Sequence, residues 1–348
     1  MKLFVFPGNI EDDILAIGAQ QLPYMRTPFF SQIVKESQEM ILSLMGCPKG
    51  RAIFLTASGT GAMDAVVANY VSTKSKAFII VGGSFGKRWE DLCTYYNLAH
   101  VVSNVEFGKD LDYIKLEEDL SREKPEVLLC QQHETSSGQC FDVKRIGDLC
   151  KKYNVSLVVD VISSFLADPL SMDEFGIDIC ITSSQKGLNI LPGISVIALS
   201  ERLIDYPFAS TNYYFDFKEN LKNLTRGQTP YSPATSLFLQ MHERLVRMSK
   251  EGLGNIITSI RSRALFFREL CQQNGWPSLA ENPSNCITGF LLPKNGDVLF
   301  SKLMDRGFTI MPGGVPNYFR VSHLGVQSKE DLISLAHAIK AIETENND

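Results

Sequence analysis

The segment from Arg51 to Leu199 alternates short apolar runs with stretches that can form helices. The runs at residues 155–159 (VSLVV) and 178–182 (DICIT) are rich in β-branched side chains, as expected of strands covered on both faces. This alternation predicts a mostly parallel α/β sheet with right-handed connections. The predicted strands of this sheet are residues 51–56, 76–82, 99–103, 126–131, 155–160, 178–183 and 194–199.

Two charged residues stand at the carboxyl ends of neighbouring predicted strands. Asp160 lies in VVDVISSF, and Lys186 lies in ITSSQKGLN, 26 residues later. Ligands of parallel sheets bind beyond the carboxyl ends of the strands, so we expect both side chains to face one site. A buried lysine loses its proton more readily and can form a Schiff base, while a carboxylate can keep a pyridine nitrogen protonated. The pair predicts a site for pyridoxal 5′-phosphate (PLP), whereas either residue alone would indicate a surface lysine or a turn cap.

A third motif lies upstream, where RAIFLTASGTGA places Ser58, Gly59 and Thr60 between a short strand and a helix predicted from Met63 to Val71. Free backbone amides and the positive end of a helix dipole bind anions at such a turn. The motif lacks the features of a nucleotide P-loop and of a dinucleotide fingerprint. Taken with Asp160 and Lys186, it predicts a phosphate site rather than an ordinary helix cap.

With these motifs in this order, the chain resembles the class V aminotransferases of PLP fold type I. The matching segments are SGTGAMDA, GGSFGKRW, HETSSG, VVDVISSF, SSQKG and YFRVSHLG. The resemblance implies a large PLP-binding α/β domain with a mostly parallel seven-stranded sheet, over residues 16–240. It also implies a smaller C-terminal α+β domain, formed by residues 241–348 together with the N-terminal segment 1–15.

The resemblance also implies a role for individual residues. Lys186 would be the Schiff-base lysine, preceded by Gln185, and Asp160 would pair with the pyridine nitrogen. The other cofactor contacts would be the phosphate ligands Ser58, Gly59 and Thr60, the ring-stacking Phe85, Thr135 near the phenolic oxygen, and Ile162 under the ring.

Three further residues are expected to act at the substrate or at the partner subunit. Arg320 matches the arginine that binds the substrate carboxylate, for which a planar guanidinium is well suited. Arg26 lies in a segment that the family brings near the entrance of the site, so a substrate contact and a structural role both remain open. Ser232 falls where the family places a hydroxyl that reaches the phosphate of the neighbouring subunit, which implies a homodimer with shared sites.

Within the family, the resemblance is closest to 2-aminoethylphosphonate:pyruvate aminotransferases. It rests on HETSSG and on the C-terminal segment TIMPGGVPNYFRVSHLGVQSKEDL. The segment from Gln228 to Pro233 departs from those enzymes, because Thr229 stands where they carry an arginine.

The implied activity is transfer of an amino group from a small primary amine or amino acid to a 2-oxo acid such as pyruvate, with Lys186 as general base and acid. One alternative is an alanine or serine aminotransferase acting on glyoxylate or pyruvate. A PLP lyase or cysteine desulfurase is disfavoured, because desulfurases carry histidines where this chain has Gln185 and Phe85. A non-catalytic binding protein is disfavoured because Asp160 and Lys186 are both present.

Composition adds limits on partners and location. A formal net charge of −5 without a basic cluster argues against binding to nucleic acid or to an anionic membrane. The N-terminus has too short an apolar run for a signal peptide, and no stretch is long enough to span a membrane, so we expect a cytoplasmic protein. The eight cysteines form no CxxC pair; they are expected to be buried free thiols, and no metal site is predicted.

Overall fold

The computed structural model describes residues 1–345 of the chain. Its strands are β1 (Lys2–Leu3), β2 (Arg51–Leu55), β3 (Ala77–Val81), β4 (His100–Asn104), β5 (Val127–Gln131), β6 (His133–Glu134), β7 (Gln139–Cys140), β8 (Ser156–Asp160), β9 (Ile179–Ser183), β10 (Ser195–Leu199), β11 (Ile287–Leu291), β12 (Phe308–Thr309), β13 (Met311–Pro312) and β14 (Tyr318–Ser322). Its α-helices are α1 (Asp12–Ile17), α2 (Pro28–Leu44), α3 (Gly59–Asn69), α4 (Ser84–Tyr95), α5 (Tyr113–Glu123), α6 (Val143–Tyr153), α7 (Met172–Phe175), α8 (Phe217–Leu224), α9 (Thr235–Glu251), α10 (Leu253–Asn274), α11 (Gly296–Asp305) and α12 (Lys329–Thr344).

The central sheet has seven strands in the order β2-β10-β9-β8-β5-β3-β4. Strand β10 runs antiparallel to β2 and β9, and the other neighbouring pairs are parallel. Every residue of β3, β5, β9 and β10 is buried, which explains why these strands are mostly apolar and have polar residues only near their ends. The predicted mostly parallel seven-stranded sheet is therefore confirmed, with strand ends within one residue of the expected positions.

One predicted helix boundary was wrong in a way that matters for the site. Helix α3 begins at Gly59 and ends at Asn69, whereas the sequence predicted Met63 to Val71. Ser58 has an extended backbone and its Oγ accepts a hydrogen bond from the Gly61 amide at 3.4 Å, so it caps the helix. The predicted polar turn is thus the first turn of the helix itself.

A second hydrophobic core lies beside the central sheet. It joins Phe4 of the N-terminal segment to residues of α10, α11, α12 and of the small sheet β11-β14-β13. Strand β1 also pairs in parallel with β12, so the N-terminus lies against the C-terminal part of the chain.

The predicted division into residues 16–240 and 241–348 stays a prediction. Its boundary falls inside α9, whose buried Met241, Leu245 and Met248 belong to the core of the large sheet. Residues 346–348 of the predicted small domain lie outside the described residues. Within residues 1–345, no helix is both long enough and apolar enough to cross a membrane.

Candidate active site

Lys186 follows strand β9 and carries its amine into the interior. The residue is only 8% exposed, and Nζ lies 4.9 Å from the ring centroid of Phe6 and 5.0 Å from that of Phe85. Burial lowers the pKa of the Lys186 ammonium below its usual value, while the charge of Asp160 acts in the opposite direction. The amine is therefore easier to deprotonate than a surface lysine, which a nucleophile or a general base requires.

Asp160 ends strand β8 and is also buried. Its Oδ1 accepts a hydrogen bond from the Ile162 amide at 2.7 Å. Burial raises the pKa of Asp160 to about 6, although that amide and the charges of Lys186 and Arg88 favour the ionised form. The carboxylate is thus charged at neutral pH in a site with little water, where a cationic ring nitrogen would stabilise it.

The N-terminus of α3 forms a small cradle with strand β9 and the segment after β8. A Cβ at Gly59 would lie 2.4 Å from Cδ1 of Ile162, so a larger residue here would require the end of the Ile162 side chain to move. The same Cβ position is 3.5 Å from Oγ of Ser183, which is buried and has no hydrogen-bond partner among the described residues. Ser58 and Thr60 are exposed beside it. An unpaired hydroxyl facing a helix N-terminus fits the phosphate group of PLP.

Arg88 connects the N-terminus of α3 to Phe85. The motif GGSFGKRW did not identify it as a site residue. Its Nη1 donates a hydrogen bond to Thr60 Oγ1 at 3.0 Å, and its Cζ lies 5.1 Å from the Phe85 ring centroid. Arg88 and Phe85 are three residues apart on α4 and so share a helix face. That spacing is the sequence signal that could have identified Arg88.

Glu134 is a second functional residue that sequence reasoning missed. The side chain is fully buried, and its carboxylate accepts hydrogen bonds from the Phe85 amide at 3.2 Å and the Gly86 amide at 3.1 Å. It also accepts from Ser136 Oγ at 2.6 Å. Gly83, the N-cap of α4, has no side chain with which to cap the helix. Glu134 takes over that function and so fixes the position of Phe85.

We expect Glu134→Ala to lower the free energy of unfolding by about 3 kcal/mol or more, because it leaves buried amides of α4 unpaired. Glu134→Gln keeps one acceptor oxygen and should show an intermediate loss. Urea denaturation measures both, with Glu118→Ala, an exposed glutamate of α5, as the matched control. A Glu134→Ala protein as stable as the control would show that the carboxylate does not hold the helix.

Thr135 belongs to a buried hydrogen-bond network. Its Oγ1 donates to Ser163 Oγ at 2.8 Å, and His133 Nδ1 lies 2.8 Å from the same hydroxyl. Burial lowers the pKa of His133 well below its usual range, and the nearby charges of Lys186 and Arg320 add to this effect. His133 is therefore neutral, and its contact with Ser163 gives it a structural role.

Arg320 extends from strand β14 of the small sheet to the turn that follows β6. Its Nη1 donates to the Thr135 carbonyl at 2.6 Å, and Nε donates to the Pro312 carbonyl at 3.2 Å. Within residues 1–345, no carboxylate lies within ion-pair distance of this guanidinium. Its charge is therefore available to a substrate anion beside Thr135.

The three remaining predicted residues have fewer contacts with the site around Lys186 and Asp160. Arg26 donates hydrogen bonds to the carbonyls of Thr229 at 2.6 Å and Pro230 at 3.3 Å, and so fixes this segment. Gln185 is half-buried, and its Oε1 has no partner among the described residues. Ser232 is exposed on the surface of the subunit.

Comparison with known protein families identifies the family to which this chain belongs. Residues 24–209, more than half of the chain, match the model of the aminotransferase class-V family. The chain belongs to the class V aminotransferases. Its cofactor is accordingly PLP.

Individual relatives of this class V aminotransferase differ in their substrates. The chain is 26% identical to a serine–glyoxylate aminotransferase of Hyphomicrobium methylovorum, over 92% of this chain and 84% of that protein. It is also 26% identical to a bifunctional phosphonoacetaldehyde hydrolase/aminoethylphosphonate transaminase of Clostridioides difficile, over 89% of this chain and 51% of the longer protein. The structure of a subgroup IV aspartate aminotransferase from Thermus thermophilus has the same fold, with a TM-score of 0.91, 22% identity and 99% coverage of both chains.

Proposed function

We propose that this aminotransferase moves an amino group from a small primary amine or amino acid to a 2-oxo acid such as pyruvate or glyoxylate. The observation that carries the proposal is the buried Lys186 amine beside Phe85, within the electrostatic influence of Asp160. When bound, PLP supplies an electron sink that stabilises negative charge on the substrate carbon. A buried lysine and a buried carboxylate are the groups needed to attach and tune that sink.

The proposed contacts follow from the positions of the side chains. Ser58, Gly59 and Thr60 would hold the phosphate, and the unpaired hydroxyl of Ser183 adds a donor that the sequence did not predict. Asp160 would face the ring nitrogen, and the remaining cofactor contacts would be Phe85, Ile162, Thr135, Gln185 and Lys186.

Lys186 would also transfer protons. Since burial lowers the pKa of its ammonium group, Nζ can take a proton from the substrate carbon and return it at a neighbouring position. The Phe6 and Phe85 rings limit access of water to Nζ. Arg320, with no carboxylate partner among the described residues, would bind the acid group of the substrate.

The donor is the finer part of the proposal. Similarity to the Clostridioides difficile protein supports 2-aminoethylphosphonate, and similarity to the Hyphomicrobium methylovorum enzyme supports serine with glyoxylate. Thr229 removes one arginine expected of the phosphonate enzymes. Arg26, however, lies against the carbonyls of the same segment and brings a cation there.

Initial rates with a panel of donors test this choice. The purified enzyme would be assayed with 2-aminoethylphosphonate, serine and alanine as donors, each with pyruvate and with glyoxylate as acceptor. Alanine with pyruvate is left out, because transamination of alanine yields pyruvate and no net reaction would be seen. Turnover of 2-aminoethylphosphonate with little turnover of the amino acids would support the phosphonate donor. The reverse pattern would support a glyoxylate aminotransferase, and no turnover with any pair would contradict the proposed small donors.

We further infer a homodimer in which Ser232 reaches the phosphate bound by the partner subunit. The support is its surface position together with the exposure of Ser58 and Thr60, which leaves the phosphate cradle open on one side. A two-fold symmetric dimer would close each cradle with a segment of the other chain.

Hybrid dimers test the shared site directly. Lys186→Ala and Ser232→Glu subunits should each be inactive, the second because its added charge repels the phosphate. After random equimolar mixing, about half of the dimers are hybrids with one intact site, so about a quarter of wild-type activity is expected. No recovery in hybrids verified by mass spectrometry would contradict the shared site, as would a fully active monomer in sedimentation experiments.

A further inference from the structure

The N-terminal segment brings an aromatic side chain to the reacting lysine. Phe6 is half-buried, and its ring centroid is 4.9 Å from Lys186 Nζ, as close as that of Phe85. The amine therefore lies between two aromatic rings that come from distant parts of the chain. Phe85 is expected to stack on the cofactor ring, whereas Phe6 has no expected contact with the cofactor and, as its role, only limits access of water to Nζ.

Phe6 is held firmly in this position by the residues that follow it. The Gly8 amide donates to Asn189 Oδ1 at 3.1 Å, and Asn189 Nδ2 donates to the Asn9 carbonyl at 2.9 Å. Asn189 comes three residues after Lys186, so the same loop fixes both the lysine and the segment facing it. The Val326 amide donates to the Asn9 carbonyl as well, at 2.9 Å.

The backbone on either side of Phe6 leaves little freedom. A Cβ at Gly8 would lie 2.4 Å from the Leu324 carbonyl oxygen, so the segment packs directly on the chain after β14. On the other side, Phe4 is buried in the second core and its carbonyl accepts from the Ser322 amide at 2.9 Å. Phe6 is thus a fixed wall of the site rather than a mobile cover.

A fixed ring at this distance limits what can react at Lys186. The substrate carbon has to come within about 3.5 Å of Nζ for the proton to be transferred. A ring whose centroid is 4.9 Å from the same atom lies close to the place of that carbon. A short substituent would fit beside a fixed ring, whereas a long one directed towards it would have to displace the ring or the segment that carries it.

We propose that Phe6 sets the upper size limit of the substrate, so that the enzyme accepts amines and 2-oxo acids of two or three carbons and rejects longer unbranched ones. This inference rests on the proposed aminotransferase function and specifies its substrate class. Both candidate donor classes, 2-aminoethylphosphonate and the small amino acids, satisfy the limit.

The test compares kcat/KM for alanine, 2-aminobutyrate and norvaline, with glyoxylate as acceptor. Where 2-aminoethylphosphonate is the active donor, it compares pyruvate, 2-oxobutyrate and 2-oxopentanoate as acceptors. A methylene that a pocket discriminates changes kcat/KM by about 10-fold or more. We therefore expect the ratio of the five-carbon to the three-carbon compound to rise at least about 10-fold in Phe6→Ala and by a smaller factor in Phe6→Leu. Phe300→Ala, which removes a partly exposed phenylalanine of α11, should leave the ratio unchanged.

A binding measurement accompanies the kinetics. Acetate, propionate and valerate cannot donate an amino group, so their dissociation constants can be read from changes in the visible absorbance of the PLP-loaded protein. In the wild type, valerate should bind more weakly than propionate, and Phe6→Ala should remove this difference. Unchanged selectivity in both Phe6 variants, in rates and in binding, would overturn the proposal.

A wrong role for Phe6 can be distinguished from a wrong proposed function. If the enzyme is not an aminotransferase, the wild type shows no amine exchange with alanine or any other donor. If only the role of Phe6 is wrong, the wild type exchanges amines normally, and both variants carry PLP on Lys186 with an unchanged substrate range. Should Phe6→Ala unfold, Phe6→Leu alone decides, because it preserves a large apolar side chain at this half-buried position.

Discussion

Lys186→Ala is expected to lower the rate of transamination by about four orders of magnitude or more, because the substitution removes both the covalent anchor and the general base. The structure provides no substitute near Phe85: the described lysines include no second one in contact with that ring. PLP should still bind through its phosphate and ring contacts, but without a link that survives borohydride reduction.

The controls for Lys186→Ala separate charge from chemistry. Lys186→Arg keeps the positive charge and should be as inactive as the alanine variant, while Lys250→Ala, at an exposed lysine of α9, should retain wild-type rates. Initial rates at saturating PLP measure all three variants. Activity of Lys186→Ala within tenfold of wild type would mean that another group carries the reaction.

Asp160→Asn is expected to reduce turnover by on the order of 100-fold, a typical effect of removing one group that stabilises developing charge. PLP affinity should fall far less, since asparagine preserves the shape of the side chain and the phosphate contacts are untouched. Equilibrium dialysis of PLP and initial rates at saturating PLP distinguish the two effects. Near-normal turnover of the variant would show that Asp160 does not maintain the electron sink.

The pH dependence of the same variant provides a further test. Burial raises the pKa of Asp160 to about 6 in the protein without PLP, and a protonated ring nitrogen beside the carboxylate would lower that pKa again. The carboxylate of the PLP-loaded enzyme is therefore expected to stay ionised from pH 7.5 down to about pH 6. The ratio of wild-type to Asp160→Asn activity should stay nearly constant over this range; a ratio that falls steeply as the pH is lowered from 7.5 to 6 would contradict the pairing of Asp160 with the ring nitrogen.

The sheet could be predicted from the sequence because four of its seven strands are buried along their whole length. Strands such as β3 and β5 have no solvent-facing residues, and their apolar runs begin and end within one residue of the strands. The start of α3 was missed because Gly59 and Gly61 are poor helix formers, while Ser58 supplies a cap that propensity does not reveal.

The site was predictable only where its residues lie in local motifs. Lys186 and Asp160 directly follow or end buried strands, so their placement follows from the sheet. Phe6 and Glu134 were missed because their partners are distant in sequence: Phe6 contacts Lys186, and Glu134 caps the helix that carries Phe85. Such contacts depend on the tertiary fold and leave no periodic pattern. The dimer and the cytoplasmic location stay predictions.

Peptide mapping after borohydride reduction tests the central claim most directly. The PLP-loaded protein would be reduced before addition of substrates, after addition of an active donor, and again after addition of a 2-oxo acid. We predict a pyridoxyl group on Lys186 in the first sample, its loss from Lys186 in the second, and its return in the third. A pyridoxyl group on a different lysine, or one on Lys186 that no donor removes, would contradict the account.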